Sequence, residues 1–203
     1  QPCGDGNKEP CPEVYGAGAT LLGETQHAWL EKTLASSKAR WQIIAQQVMV
    51  GRVDFKIGEG ERFSMDQWGG YEVCRKRLLN FLGEKKIANP IVLTGDIHSN
   101  WAHDLKTDWG NPSAPAVGVE FVGTSITSGG DGRDAMDGVE KVYAENPNLK
   151  WQNARRGYFV CEMTPSSTRA DFRTIDFVTK PGAPVKTARS FVVEAGRPGL
   201  VNA

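Results

Sequence analysis

Apolar positions along this chain fall into segments of two periods. Thr25 predicts a helix cap. Beyond it Trp29, Leu30, Thr33 and Leu34 recur at helical spacing while Glu31 and Lys32 face outward, so a helix is expected to about Ser36. Residues 71–84 predict a second helix, with Val73, Leu78, Leu79 and Leu82 on its apolar side and Arg75, Lys76 and Arg77 on its solvated side. Residues 41–50 (WQIIAQQVMV) form a short apolar run with β-branched members, which reads as a buried strand. Residues 91–94 and 117–122 read the same way. Residues 157–164 and 167–177 nearly alternate and predict a β-hairpin turning near Pro165 and Ser166. Residues 185–194 are expected to be the last strand. Residues 1–20, rich in Gly, Pro and Cys, predict an irregular arm, and 51–70 predict a long loop. Residues 124–133 are a Gly/Ser-rich loop, and 139–145 and the stretch near 148–152 read as helical. Helix–strand–helix–strand followed by several strands predicts a layered α/β domain.

Composition narrows this picture. The 203 residues suffice for one domain with a full core. Hydrophobic residues at 39% and charged residues at 24% are globular values. Lys+Arg and Asp+Glu are both 24, so no long-range field exists to attract nucleic acid or an anionic membrane. A phosphate-handling site then needs local positive charge, and bound metal ions are one source. No apolar run approaches the roughly 20 residues that span a bilayer. The sequence starts at Gln1 with no signal segment, and is expected to be a processed chain or a piece of a larger one. Cys3 and Cys11 flank a Gly/Asp/Asn/Pro stretch, where a local disulfide is expected in an exported protein, with two free thiols or a metal pair as the alternative. Cys74 and Cys161 read as free, buried thiols.

The candidate chemistry centres on residues 91–104, IVLTGDIHSNWAHD. A short apolar strand runs into Gly-Asp-x-His, and ligands of open α/β sheets bind beyond the carboxyl ends of strands. Asp96 and His98 are two residues apart, so extended geometry would point both to one side. Each could hold one ion of a metal pair, the carboxylate suiting hard cations and the imidazole iron or zinc. Asn100 continues the parity, and Asp104 could support the ligands from behind. By spacing alone, a helix N-cap aspartate with an incidental histidine weighs equally. His27 and His103 read as packed or supporting side chains. The loop containing Ser125 (TSITSGG) offers hydroxyl and N–H donors to a phosphate, although an ordinary turn competes with that reading. Arg52 could clamp a phosphate, with a surface arginine as the alternative. Trp68 and Trp101 could wall a pocket or pack in the core.

Taken together these segments resemble the alkaline phosphatase D family, a branch of the calcineurin-like metallophosphatases. Leu22-Gly23, Gln26, Trp29-Leu30, Leu34, Ser37, Ala39, Trp41 and Gln47-Val48 resemble its helix and following strand. Asp66, Trp68, Gly70-Tyr71, Arg75 and Leu78-Leu79 resemble its D-x-W-D-G-Y segment, with Gly69 in place of the usual aspartate. The stretch from Leu93 to Ser99 resembles its late metal motif. Glu120-Phe121-Val122, Thr124-Ser125-Ile126, Ser128 and Arg156-Gly157-Tyr158 resemble later segments, so the likeness runs through residues 20–180 in order.

The resemblance implies the C-terminal half of a layered metallophosphatase β-sandwich flanked by helices, with residues 21–203 completed by an N-terminal piece. The family's early motifs (Asp-x-His, Gly-Asp-x-x-Asp, the Asn loop and the cysteine ligand for iron) do not occur upstream of Asp96. It also implies that Asp96 and His98 bind the metals of a cluster, iron and calcium, with zinc or manganese as lesser choices. The implied substrates are phosphate mono- or diesters, phospholipids of phospholipase D-type relatives among them. The implied partner is the N-terminal fragment of the same enzyme, and the implied location is secreted or periplasmic. Two readings compete: a non-catalytic binding or regulatory subunit that retains the fold, and a zinc hydrolase built on His27, His98 and His103.

Overall fold

The computed structural model describes residues 1–203. In chain order the first half forms β1 (Asn7–Lys8), α1 (Gly23–Ser36), β2 (Gln42–Ala45), β3 (Phe63–Ser64), α2 (Glu72–Glu84) and β4 (Pro90–Thr94). There follow β5 (Asn100–Lys106), β6 (Ala116–Val122), α3 (Val139–Glu145) and β7 (Leu149–Asn153). The last four strands are β8 (Arg156–Met163), β9 (Ser167–Ile175), β10 (Lys186–Glu194) and β11 (Arg197–Asn202).

The central sheet has the order β2-β4-β6-β5-β7. β2, β4 and β6 run parallel, and β5 runs antiparallel to both β6 and β7. The two helices following β1 and β3 cover one face. Leu34 of α1 and Cys74, Leu78, Leu79 and Leu82 of α2 pack on Ile44, Val92 and Leu105 of the sheet. The opposite face meets an antiparallel sheet of order β11-β10-β9-β8. There Ile91, Ala102, Val119 and Phe121 interdigitate with Ala170, Phe172, Phe191 and Val193. The Phe172 ring lies 4.8 Å from Trp151 and edge-on to Phe121 and Phe191. Each such side chain contributes about 1.5–3 kcal/mol by leaving water, so these two seams hold the three layers together.

The periodic segments fold as their patterns predict, with corrections. The first helix starts at Gly23, whose N–H donates to the Thr20 hydroxyl at 2.9 Å; Thr25 lies inside it and does not cap it. Trp29 is 61% exposed, and His27 takes its place on the buried face. The strand expected over 41–50 stops at Ala45, and just beyond it the Gln46 side chain turns back to accept the Gln47 N–H at 2.6 Å. Arg75 is completely buried rather than solvated, forked onto Glu72 at 2.8 and 2.9 Å, while Val73 is exposed. Residues 149–153 are strand β7, not a helix, since β5 offers them a free edge to pair with. β10 is not the last strand; β11 follows it and pairs with it across Gly196. The arm 1–20 is docked: the Cys3–Cys11 disulfide closes its loop, β1 pairs with β3, and Val14 packs on Phe63 and Met65. Cys74 and Cys161 are free thiols, the first buried and the second half-buried.

Candidate functional site

β4 and β6 end side by side, with Thr94 opposite Val122 and the Gly123 N–H donating to the Thr94 carbonyl at 2.8 Å. Beyond this edge the chain must reverse within five residues to enter β5. It does so through a tight turn in which the Ile97 N–H donates to the Gly95 carbonyl at 2.9 Å. Asp96 (φ 72°) and His98 (φ 56°) are therefore left-handed, not extended as their spacing suggested. Such conformations cost a non-glycine residue about 1–3 kcal/mol and concentrate at functional sites. Both side chains are exposed. Asp96 receives one long hydrogen bond, from Gln67 Nε2 at 3.4 Å, and the His98 imidazole engages no partner in the chain. Gln67 is itself held by the Met49 N–H, which donates to its Oε1 at 2.9 Å. The strand end thus presents a carboxylate and an imidazole whose donor atoms are free for a metal. Nowhere does the chain gather three His, Cys, Asp or Glu side chains able to hold a metal ion, and two donors do not complete a coordination sphere.

The other candidates divide. Asn100 is buried behind the turn: its Oδ1 accepts the Thr124 N–H at 3.2 Å, and its Nδ2 donates to Asn153 Oδ1 and the Arg155 carbonyl, both at 3.3 Å. Asp104 stands four residues along β5, about 13 Å away at the rise of a strand. There it pairs with Lys150 at 3.2 Å and accepts the Leu200 N–H at 2.8 Å, fastening β11 to the central sheet and not serving the turn. The Arg52 guanidinium stacks 4.1 Å over the Phe63 ring between the carboxylates of Glu61 and Glu72 (the latter at 3.4 Å), so its charge is already met. Trp68 is wholly buried in the seam between helices and sheet, and Trp101 is likewise buried, so neither walls a pocket. The Ser125 hydroxyl donates to the Ser128 carbonyl at 2.7 Å and accepts from Arg156 Nη1 at 2.7 Å. Arg156, buried beneath, also donates to the Ser128 and Ala154 carbonyls and so clamps the loop.

Two buried ionisable groups stand out here: His103, expected to be packed or supporting, and Glu120, to which the sequence reading gave no role of its own. Glu120, in the middle of β6, has no exposed surface, and burial raises its carboxyl pKa to about 7 against the pull of its hydrogen bonds. His103 is its cross-strand partner on β5, stacked 6.1 Å from the Trp101 ring, and burial lowers its pKa to about 3. Gly51 fits between them; a Cβ there would stand 2.8 Å from His103 Cγ and 2.9 Å from Glu120 Oε2. The available signal was a charge inside an otherwise apolar run, VGVEFV.

These two groups act oppositely on stability. The raised pKa of Glu120 means its contribution is complete below the ordinary 4.5 and is lost as pH rises through about 7. The lowered pKa of His103 means its contribution is complete above 6.5 and is lost as pH falls towards about 3. Between pH 4.5 and 6.5 the two slopes, each about 1.4 kcal/mol per pH unit at most, cancel. Glu120→Gln should therefore gain stability relative to the parent as pH rises across that window, read from urea midpoints. A constant difference between the two proteins would contradict this assignment.

The fold is a layered α/β arrangement of two sheets flanked by helices, and it matches part of a solved PhoD structure. The sequence model of PhoD-like phosphatases matches residues 1–172, and the chain belongs to that family. Over 196 residues it is 43% identical to alkaline phosphatase D of Bacillus subtilis (strain 168), covering 97% of this chain and 34% of that protein. A solved structure titled "Structure of PhoD" superposes with a TM-score of 0.94 at 42% identity, covering 98% of this chain and 38% of that one. The chain thus spans about a third of the length of the relatives it matches.

Proposed function

We propose that this chain forms part of a metal-dependent phosphoester hydrolase and supplies Asp96 and His98 to its metal cluster. The observation that carries this is the strained strand-end turn, which exposes a carboxylate and an imidazole with uncommitted donor atoms in a member of the PhoD-like phosphatase family. Asp96 and His98 are the ligands from this chain. Iron and calcium are the proposed metals, and the remaining ligands come from the N-terminal part of the same enzyme. When bound, the metals supply positive charge that orients a phosphate and acidity that activates water. Gln67 fixes the Asp96 carboxylate, and Asn100 holds the start of the loop at Thr124 beside the metal turn. The same loop, clamped by Arg156, places Ser125 near the strand edge, where it is proposed to border the phosphate. Phosphate monoesters and diesters are the proposed substrates, with phospholipid diesters included. The Cys3–Cys11 disulfide supports a secreted or periplasmic location, where such bonds persist.

That no three-ligand cluster lies within the chain favours, as a second reading, a non-catalytic subunit that keeps the fold. One substrate panel separates the two. The complete protein, loaded with iron and calcium, is given a nitrophenyl phosphate monoester, the bis-nitrophenyl diester and phosphatidylcholine vesicles. Hydrolysis of the nitrophenyl esters is expected, and phosphatidylcholine turnover decides whether lipids are substrates. No turnover of any of the three overturns the hydrolase in favour of the binding subunit.

A further inference from the structure

Glu120 is an unusual tenant of β6. A buried carboxylate is costly unless its oxygens are satisfied. Arg75, whose charge bears on it, is forked onto Glu72 instead. What Glu120 holds are three donors. Its Oε1 accepts from the Thr94 hydroxyl at 2.7 Å and from the Val50 N–H at 2.8 Å, and its Oε2 accepts the Gly51 N–H at 2.6 Å.

Those donors belong to the two segments that frame the metal turn. Thr94 is the last residue of β4, two before Asp96. Val50 and Gly51 follow Met49, whose N–H secures Gln67, the residue that contacts Asp96. Gln47, at the start of the same segment, accepts the Gly95 N–H at 3.3 Å. One carboxylate therefore ties the end of β4 to the strip of backbone that aims Gln67. The absence of a side chain at Gly51 is part of the device, since a Cβ there would strike both Glu120 and His103.

We propose that Glu120 is a positioning residue for the metal turn: by binding Thr94, Val50 and Gly51 together it sets the placement of Asp96 without touching metal or substrate. This rests on the assignment of Asp96 as a metal ligand. The geometry explains why an apolar strand retains a carboxyl group at this one place. It also predicts that loosening the carboxylate is felt in metal binding and turnover more than in substrate affinity.

The test uses the complete protein and three variants, Glu120→Gln, Thr94→Val and Asp96→Asn. Readouts are iron and calcium by elemental analysis, kcat and KM on a nitrophenyl phosphate, and the melting curve. Glu120→Gln turns an N–H acceptor at Gly51 into a donor. It should lower kcat and metal affinity by about 10- to 100-fold while KM shifts little. Thr94→Val keeps the shape and removes one donor, and should move the same quantities by about threefold to tenfold. If Glu120→Gln does not fold, Thr94→Val decides alone. Folded variants with the parent's metal content and kcat overturn the positioning role. So does a loss confined to the melting temperature. If instead Asp96→Asn keeps full metal and turnover, the ligand assignment itself falls.

Discussion

Asp96→Asn is expected to strip about one metal equivalent from the complete protein and to slow phosphoester hydrolysis by at least about a thousandfold, some 4 kcal/mol of transition-state stabilisation. The physical case is that the substitution changes little else. Asp96 is exposed and left-handed, and asparagine adopts that conformation as readily as aspartate. Its only side-chain hydrogen bond in the chain is the 3.4 Å bond from Gln67, which the asparagine carbonyl can still accept. Folding should be unaffected, with a melting temperature close to the parent's, so lost activity reports lost ligation. At His98 alanine would also pay for its positive φ of 56°, whereas asparagine would not, so His98→Asn is the cleaner probe and should behave like Asp96→Asn. Elemental analysis and nitrophenyl phosphate kinetics read both. Parent-level metal in either folded variant would remove that residue from the site.

Gly157→Ala should cost about 3 kcal/mol or more, by strain and overpacking together. Gly157 has φ 152°, and a Cβ on it would lie 1.9 Å from the Arg173 carbonyl oxygen across the β8–β9 ladder. Two backbones cannot yield as a side chain can, so the pairing that starts with Arg156 opposite Ile175 must open. The Gly157 N–H also donates to the Ser125 carbonyl at 3.2 Å, so the loop that carries Ser125 should loosen with the strand. A drop in melting temperature of roughly 6–12 °C is expected. Gly18→Ala, at a position with open space around it, should shift stability by less than about 0.5 kcal/mol and serves as the control. Equal melting curves for the two variants would refute the clash.

What was legible in the sequence follows from how each element is buried. β4 and β6 are buried on both faces and show as short apolar runs, α2 shows through Leu78, Leu79 and Leu82, and the β8–β9 hairpin shows through its near alternation. β5 (NWAHDLK) was missed because it is buried on both sides with four polar residues, each committed to a local role. Asn100 holds Thr124, Asp104 holds Leu200, and Lys106 donates to the Pro112 carbonyl, while His103 is stacked on Trp101. β11 (RPGLVN) was missed because its Pro and Gly interrupt a strand pattern, and it survives as the edge of its sheet. Arg75 looked solvated because its buried partner, Glu72, lies a turn earlier on the same helix and neither residue alone signals an ion pair. At the site, the identities of Asp96 and His98 were legible but their conformation was not. Spacing alone does not reveal that β5 runs back against β6, and that reversal is what forces both residues left-handed.

The outer sheet is made wholly from residues 156–202, later in the chain than every strand it shields. On the ribosome, Ala102, Val119 and Phe121 must therefore wait uncovered while those residues are added, which takes roughly 2–10 s at ordinary elongation rates. The nascent protein passes through a half-built stage with one sticky sheet face, a natural substrate for chaperones. Codon changes that slow translation after residue 155 would lengthen this exposure and lower the yield of native protein without altering a single contact in it.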